Sequence, residues 1–428
     1  MLRSMMILLP FLALSPALAA TQEPALSLRE VYQLARERNS MLHASRAAAD
    51  AVATKEQSAA LPPDPEIQIG VMNASLPGLQ MDMPGAMLPS VQAMQMIPFP
   101  GKLRLGGQIA RQSTAMARTE TDETWWEIRV SAAMAFYGIY QADRQIAVME
   151  ETLDWLRQFE QVATAMYSVG MGRQSDVLRA GVEVARMQAD IARMRAMRTT
   201  AVARLNALLD RPADTAVPAV SFAALPADLP TAAELQSWAE ESRPILERAR
   251  IGVERARTRE SLARRELWPD LTVGVQYGQR PAEMGTERMG SLMLGFSVPV
   301  FAGQRQMQMR REAAAMEQMA SAELTGTRAR VNAGIGELLA ELERARTLVM
   351  LYRTEVLPQA EANVTSAFSS YRVGRVDFMT LVDAQMTLNQ YSQELYALLA
   401  EYGQLVSELE MTVGRELPVT TTILGEDA

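Results

Sequence analysis

The chain has 428 residues, 48% hydrophobic and 21% charged, with a formal net charge of −8. That mildly acidic balance leaves no basic footprint for nucleic acid. With no cysteine there is neither a disulfide framework nor a lipid anchor on an N-terminal Cys, so packing must supply the stability. The longest apolar run, Met5 to Leu14, is shorter than the roughly 20 residues of a bilayer-spanning helix. Arg3 before it and Ala17-Leu18-Ala19 after it predict a signal peptide over 1–19, cleaved after Ala19.

An internal repeat organises the remainder. Leu61-Pro62-Pro63-Asp64 is answered by Leu267-Trp268-Pro269-Asp270. Ile97-Pro98-Phe99-Pro100-Gly101-Lys102 is answered by Val298-Pro299-Val300-Phe301-Ala302-Gly303, and Tyr167-Ser168-Val169-Gly170 by Tyr371-Arg372-Val373-Gly374. The offsets are 206 (64 to 270), 202 (101 to 303) and 204 (167 to 371). The first repeat is placed at 20–230 and the second at 231–428.

Each repeat reads as a helix, two strands, a long helix and a return helix. In the first, the strands fall at about 64–76 and 88–99 and the helices at about 102–166 and 173–211. Ile67, Ile69 and Val71 share one strand face. In the second, the strands fall at about 270–279 and 290–301 and the helices at about 303–370 and 377–414. Leu292, Leu294, Phe296, Val298 and Val300 alternate with small or polar residues, the period-two mark of a strand greasy on one face. Ile335, Leu338, Leu342, Ala345, Val349 and Tyr352 step by three and four, as do Leu388, Tyr391, Leu395, Leu398, Tyr402, Leu405 and Leu409. Such seams pair helices as coiled coils. Pro98, Pro100 and Pro299 stop the strands, because proline cannot donate to a ladder, and Gly101 and Gly303 give freedom to turn into the helices.

The predicted fold class is therefore mainly α with a small β part. Four amphipathic strands cannot close a barrel alone, and open sheet edges in lipid cost several kcal/mol per unpaired group. If the strands span a membrane, several protomers share one barrel, and helices on the order of 100 Å long continue into an aqueous compartment. The other reading is a soluble periplasmic coiled-coil scaffold or adaptor. An adaptor would need a lipoyl-like or barrel domain between its coil arms, and 207–235 is too short for one.

The mature chain resembles the TolC family of outer-membrane efflux proteins. The resemblance rests on the two-fold repeat and on Gln95-Met96-Ile97-Pro98-Phe99-Pro100-Gly101-Lys102-Leu103. It rests also on Tyr167-Ser168-Val169-Gly170 with Ser175-Asp176-Val177-Leu178, and on Tyr371-Arg372-Val373-Gly374 with Leu381-Val382-Asp383-Ala384. The Pro-x-Pro-Gly-Lys stretch looks most like the heavy-metal-efflux branch. The resemblance implies a homotrimer in outer-membrane lipid, with four strands per chain in a twelve-strand barrel and a helical tunnel in the periplasm. It implies a periplasmic adaptor (membrane fusion protein), an inner-membrane pump of the resistance-nodulation-division type and no cofactor. It makes Val169, Gly170, Val373 and Gly374 adaptor-docking tips, and Asp176, Tyr371 and Asp383 a periplasmic gate. Thr380 stands where the family type member has a second aspartate and Val376 where it has an arginine, for which Arg375 or Arg372 can substitute.

No enzyme signature is present. The one histidine, His43, has no partner motif, and neither His-Glu-x-x-His nor Gly-x-Ser-x-Gly occurs. Met81, Met83, Met87, Met94 and Met96 cluster around the first hairpin. Thioethers suit Cu(I), which makes Met81, Met83, Met94 and Met96 weak metal candidates and copper a candidate cargo. Methionine also fills gaps in place of leucine, as at Met187 and Met194 with their coil-core spacing, and both readings stay open.

Overall fold

The computed structural model describes residues 26–72, 86–282, 285–419 and 421–423. The predicted signal peptide, Met81 and Met83 lie outside the described residues. Helices α1 (Leu28–Arg38) and α2 (Ser40–Ala53) and the single turn α3 (Lys55–Ser58) lead to strands β1 (Glu66–Met72) and β2 (Met87–Ile97), then to α4 (Lys102–Ser168) and α5 (Gln174–Leu208). The pattern recurs as α6 (Ala232–Ser242), α7 (Pro244–Arg265), β3 (Leu271–Ala282), β4 (Gly285–Phe296), α8 (Gln306–Leu351), α9 (Leu357–Arg372) and α10 (Phe378–Val413).

Local chemistry repeats with the elements. Ser27 and Glu30 form a capping box on α1, and Thr231 and Glu234 form the same box on α6. The first helical arm then bends at Asn39, whose side chain accepts from Leu42 N at 3.1 Å and donates to Leu208 O at 2.9 Å. The second arm bends at Arg243, followed by Pro244 at the first helical position, where its missing N–H leaves no bond unmade. Arg243 is buried and donates to Glu123 Oε1 at 2.7 Å.

The four strands form one antiparallel sheet in the order β1-β2-β3-β4, so among the described residues of one chain β1 and β4 are open edges. Register pairs Gln68 with Gln92, Gln92 with Gln276, and Gln276 with Ser291. Directly paired residues share a face. One face thus carries Ile67, Ile69, Val71, Val91, Val275, Tyr277, Leu292, Leu294 and Phe296, all exposed. The other carries Glu66, Gln68, Ser90, Gln92, Gln276 and Ser291.

The strand ends differ from expectation. β3 runs on to Ala282, and β4 begins at Gly285 and stops at Phe296 rather than 301. Val298 and Val300 keep the alternation, but Pro299 cannot extend a ladder. Val300 N instead bonds Val298 O at 2.9 Å, and the chain turns until Gln306. The predicted strand 64–76 is ordered as Glu66–Met72, and 73–76 lie outside the described residues.

At about 1.5 Å per residue, α4 is a rod on the order of 100 Å long. The helix expected over 303–370 begins at Gln306 and is broken by a π-helical turn, Tyr352–Val356. Pro358 explains the break: its ring would collide with the carbonyl of residue 354 in a regular helix, and it has no N–H to donate. The wider π turn relieves that clash. The equivalent stretch of α4 has no proline and no break.

Two apolar cores hold the helices. The larger gathers Phe136, Tyr137, Ile139, Leu205, Leu342, Val349 and Tyr402, and so includes positions of both seams of the second repeat alongside residues of the first. The smaller lies toward the helix ends and gathers Leu156, Phe159, Met187, Ile191, Tyr371, Phe378 and Leu381. Arg129 is buried between the Tyr32 and Trp126 rings, at 4.3 and 4.8 Å, and pairs with Glu410 at 3.2 Å, tying α1, α4 and α10. Gly403 lets the Tyr137 ring lie against α10: an added Cβ would come within 2.7 Å of Cε2. Gly403→Ala should therefore overpack this core and destabilise the fold by about 1–3 kcal/mol. A lowered thermal unfolding midpoint of the purified protein would register it; an unchanged midpoint would mean that the ring moves freely.

Candidate functional site: the strand-to-helix corner and the helix tips

The first corner is a clamp between repeats. Asp270 Oδ1 accepts from Phe99 N at 2.7 Å and from Lys102 Nζ at 2.8 Å. Lys102 Nζ, itself buried, also donates to Trp268 O at 3.1 Å and lies 3.4 Å from Glu266. The Phe99 ring stacks on Trp268 with centroids 5.3 Å apart. Arg265 donates to Pro100 O at 2.8 Å. Gly101 has φ +94°, open to glycine without strain, and a Cβ there would sit 2.7 Å from the Arg265 guanidinium. Pro98 and Pro100 end the strand just before this clamp.

The second corner is not its copy. Gly303 lacks a positive φ and has open space around it. Beside Pro299, Val298, Val300 and Phe301 are 69%, 80% and 71% exposed. The two corner motifs look alike in sequence, yet only the first is locked within the chain. The Lys102–Asp270 pair joins landmarks of different repeats that the internal repeat does not match to each other; their opposite charges were the available signal.

The two helix reversals have matching geometry. Val169 has φ −97° and ψ 7°, Val373 φ −100° and ψ 10°. Gly170 and Gly374 follow at φ +76° and +71°, the left-handed residue of a helix C-terminus. Gly170 N bonds Tyr167 O at 3.0 Å, and Gly374 N bonds Tyr371 O at 2.9 Å. Val169 and Val373 are 69% and 65% exposed. Each reversal thus presents an apolar side chain to water, and the first presents Met171, 71% exposed, as well.

Just inside the tips, Tyr371 is buried, with its ring edge-on to Phe378 at 5.6 Å. Its hydroxyl is buried with no hydrogen-bond partner among the described residues. Burial first, and then the negative charge of Asp176, push its pKa above the usual tyrosine value, so it stays a protonated donor at neutral pH. Tyr371 and Asp176 are therefore brought together. Asp383 is not: it lines a separate polar groove of about 600 Å³ with Gln145, Glu183, Arg186 and Gln390. Asp377 caps α10, its Oδ1 accepting from Thr380 N and Oγ1 at 2.9 and 2.6 Å. Those bonds hold the Asp377 carboxyl below its usual range. Arg372 lies over Phe368, Arg375 is exposed, and Val376 packs on the smaller core. His43 is exposed, its ring contacting Glu37 O. Among the described residues no cluster of three or more His, Cys, Asp or Glu can hold a metal.

The clamp makes a testable demand. Asp270→Ala strands both Lys102 and the Phe99 amide, and should lower stability by about 2–4 kcal/mol. Asp270→Asn keeps an acceptor and should cost less. Equal unfolding midpoints for the two variants in detergent would show that the charge contributes nothing.

The outer membrane efflux protein family matches this chain twice, over residues 31–211 and 235–415. The cobalt-zinc-cadmium resistance protein CzcC of Cupriavidus metallidurans is 22% identical over 323 residues, covering 73% of this chain and 75% of that protein. The solved structure of CusC superposes with a TM-score of 0.77 at 15% identity, covering 91% of this chain and 92% of CusC. VceC of Vibrio cholerae gives 0.76 at 17% identity, covering 91% and 97%. The four-stranded sheet over long helices is thus a shared architecture, a barrel above a helical tunnel. The chain belongs to the outer membrane efflux protein family: it is a passive outer-membrane exit channel with its helices in the periplasm, and not an enzyme.

Proposed function

We propose that three copies of the chain form the exit duct of a tripartite pump for heavy-metal cations. The open edges carry this reading: β1 and β4 each lack a neighbour on one side, and lipid tolerates no unpaired strand edge. Pairing β4 of one copy with β1 of the next satisfies both. The bare corner supports the same assembly. Phe99 rests on Trp268 within the chain, whereas Phe301 has no such cover; the matching landmark, Leu61 to Asp64 of a second copy, is available, with Leu61 63% exposed.

Cargo enters at the helix tips from a periplasmic adaptor and an inner-membrane pump of the resistance-nodulation-division type. Val169 and Val373 are the adaptor contacts, with Gly170 and Gly374 shaping the turns. Asp176 and Tyr371 close the mouth at rest, the orphan Tyr371 hydroxyl offering a donor. Asp383 adds a carboxylate, and a ring of carboxylates favours cations over anions. Heavy-metal cargo is supported by the name of the Cupriavidus relative.

Val169→Asp with Val373→Asp tests docking. Both positions have negative φ, so the change adds charge without backbone strain, which substitution at the glycines would not avoid. Metal resistance should fall to the level of a strain lacking the channel, with the protein still inserted in the outer membrane. Full resistance would reduce the tips to plain turns. For the gate, Asp176→Ala with Tyr371→Phe should raise single-channel conductance in planar bilayers while the coils stay folded. An unchanged conductance would place the constriction elsewhere.

A further inference from the structure

The strands contain six methionines, Met72, Met87, Met94, Met96, Met289 and Met293. Register puts all six on the polar face. Met94 pairs with Gly274 and Glu66, Met293 with Gly274, Met96 with Thr272, Met289 with Gly278, and Met72 with Met87. The slip between Gly70 and Met72 returns Met87 to the face of Met72. The apolar face is built from Ile, Val, Leu, Phe and Tyr and carries no methionine among the described residues. Were methionine a generic filler here, it would appear on both faces.

The glycines opposite make room for the thioethers. A Cβ at Gly274 would meet Met94 Cγ at 3.2 Å and Met293 Cε at 3.3 Å, so both side chains lie over that glycine. Gly278 is covered in the same way by Met87, whose Cγ would stand 3.0 Å from an added Cβ. Between the two steps run Gln92 and Gln276, whose amides reach sulfur: Gln276 Nε2 lies 2.9 Å from Met72 Sδ and Gln92 Nε2 3.8 Å from Met293 Sδ. Gly274 and Gly278 are four residues apart, about 13 Å along a strand at roughly 3.3 Å per residue.

From this arrangement we infer that the inner face of the barrel carries a two-step thioether site for soft monovalent cations of the Cu(I) and Ag(I) class. One step is Met94 with Met293, and the other is Met72, Met87 and Met289. Thioethers prefer soft cations such as Cu(I), whereas a hard cation such as Mg(II) takes oxygen ligands. Glu66, the register partner of Met94, sets a carboxylate beside the first step to offset the charge of the bound ion. In a shared barrel each step recurs once per protomer, giving a passing cation weak, repeated contacts that it can leave as readily as it enters.

The inference deepens the metal-export reading and rests on it for its biological meaning, but its test does not require export. Purified channel in detergent is dialysed against Ag(I), with Mg(II) as the hard control, and bound metal is measured. Leucine at positions 72, 87, 94, 289 and 293 keeps the packing and removes the sulfur. The unaltered channel should retain Ag(I) that this fivefold variant loses, while both bind Mg(II) alike. Met187→Leu, in the helical core, should bind Ag(I) as the unaltered channel does. X-ray absorption should show sulfur neighbours around the bound silver. Equal Ag(I) binding by the channel and the fivefold variant overturns the site, even if the channel restores metal resistance to a strain lacking it. Loss of Ag(I) binding in the variant upholds the site, even if resistance is never restored and the export reading falls.

Discussion

A strand edge in hydrocarbon has nowhere to send its backbone N–H and C=O groups, and each one left unmet costs several kcal/mol. The rest of this structure follows from that constraint. Four strands with one apolar face can lie against lipid only if both outer edges are covered, and this chain covers neither by itself. Repeated copies of one chain, each supplying an edge that the next one needs, meet the demand, and a heterologous contact that closes makes a ring. The ring places the polar sheet face around a lumen, and the long helices carry that lumen away from the membrane.

The internal duplication serves the same end unevenly. Its two halves share capping boxes, bent helical arms, hairpins and tip turns, yet they are specialised where they meet. The first corner is anchored inside the chain through Lys102, Asp270 and the Phe99–Trp268 stack. The second is left bare, with Phe301 and Val300 in solvent. Likewise α4 is an unbroken rod, whereas the matching helix of the second repeat is interrupted at Tyr352–Val356. A π turn is a place where a helix can kink, and this one stands at the head of the α9–α10 pair, which carries Tyr371.

Much of this was legible in the residues. Alternation gave the strands and their greasy face, and the three-four stepping of Leu342, Val349, Tyr402 and Leu409 marked positions that are buried. The failures have physical causes. Val298 and Val300 continue a strand pattern on either side of Pro299, which cannot extend a ladder, so periodicity overran the true end at Phe296. The seam passes through Tyr352 without a change of step, so the pattern hid a break imposed by Pro358. Thr380 was read by its alignment with a gate aspartate, but its hydroxyl and amide are spent on capping α10 through Asp377. The methionines around the hairpin were visible, but their sorting onto one face depends on register and on the slip beside Gly70, which local sequence does not encode.

The central claim is that the barrel is completed by other copies of the same chain. Native mass spectrometry of the protein extracted from outer membranes in detergent tests it most directly. The account predicts a particle of three chains that withstands dilution, because each chain supplies strand edges to its neighbours. A stable, folded particle of one chain would contradict it.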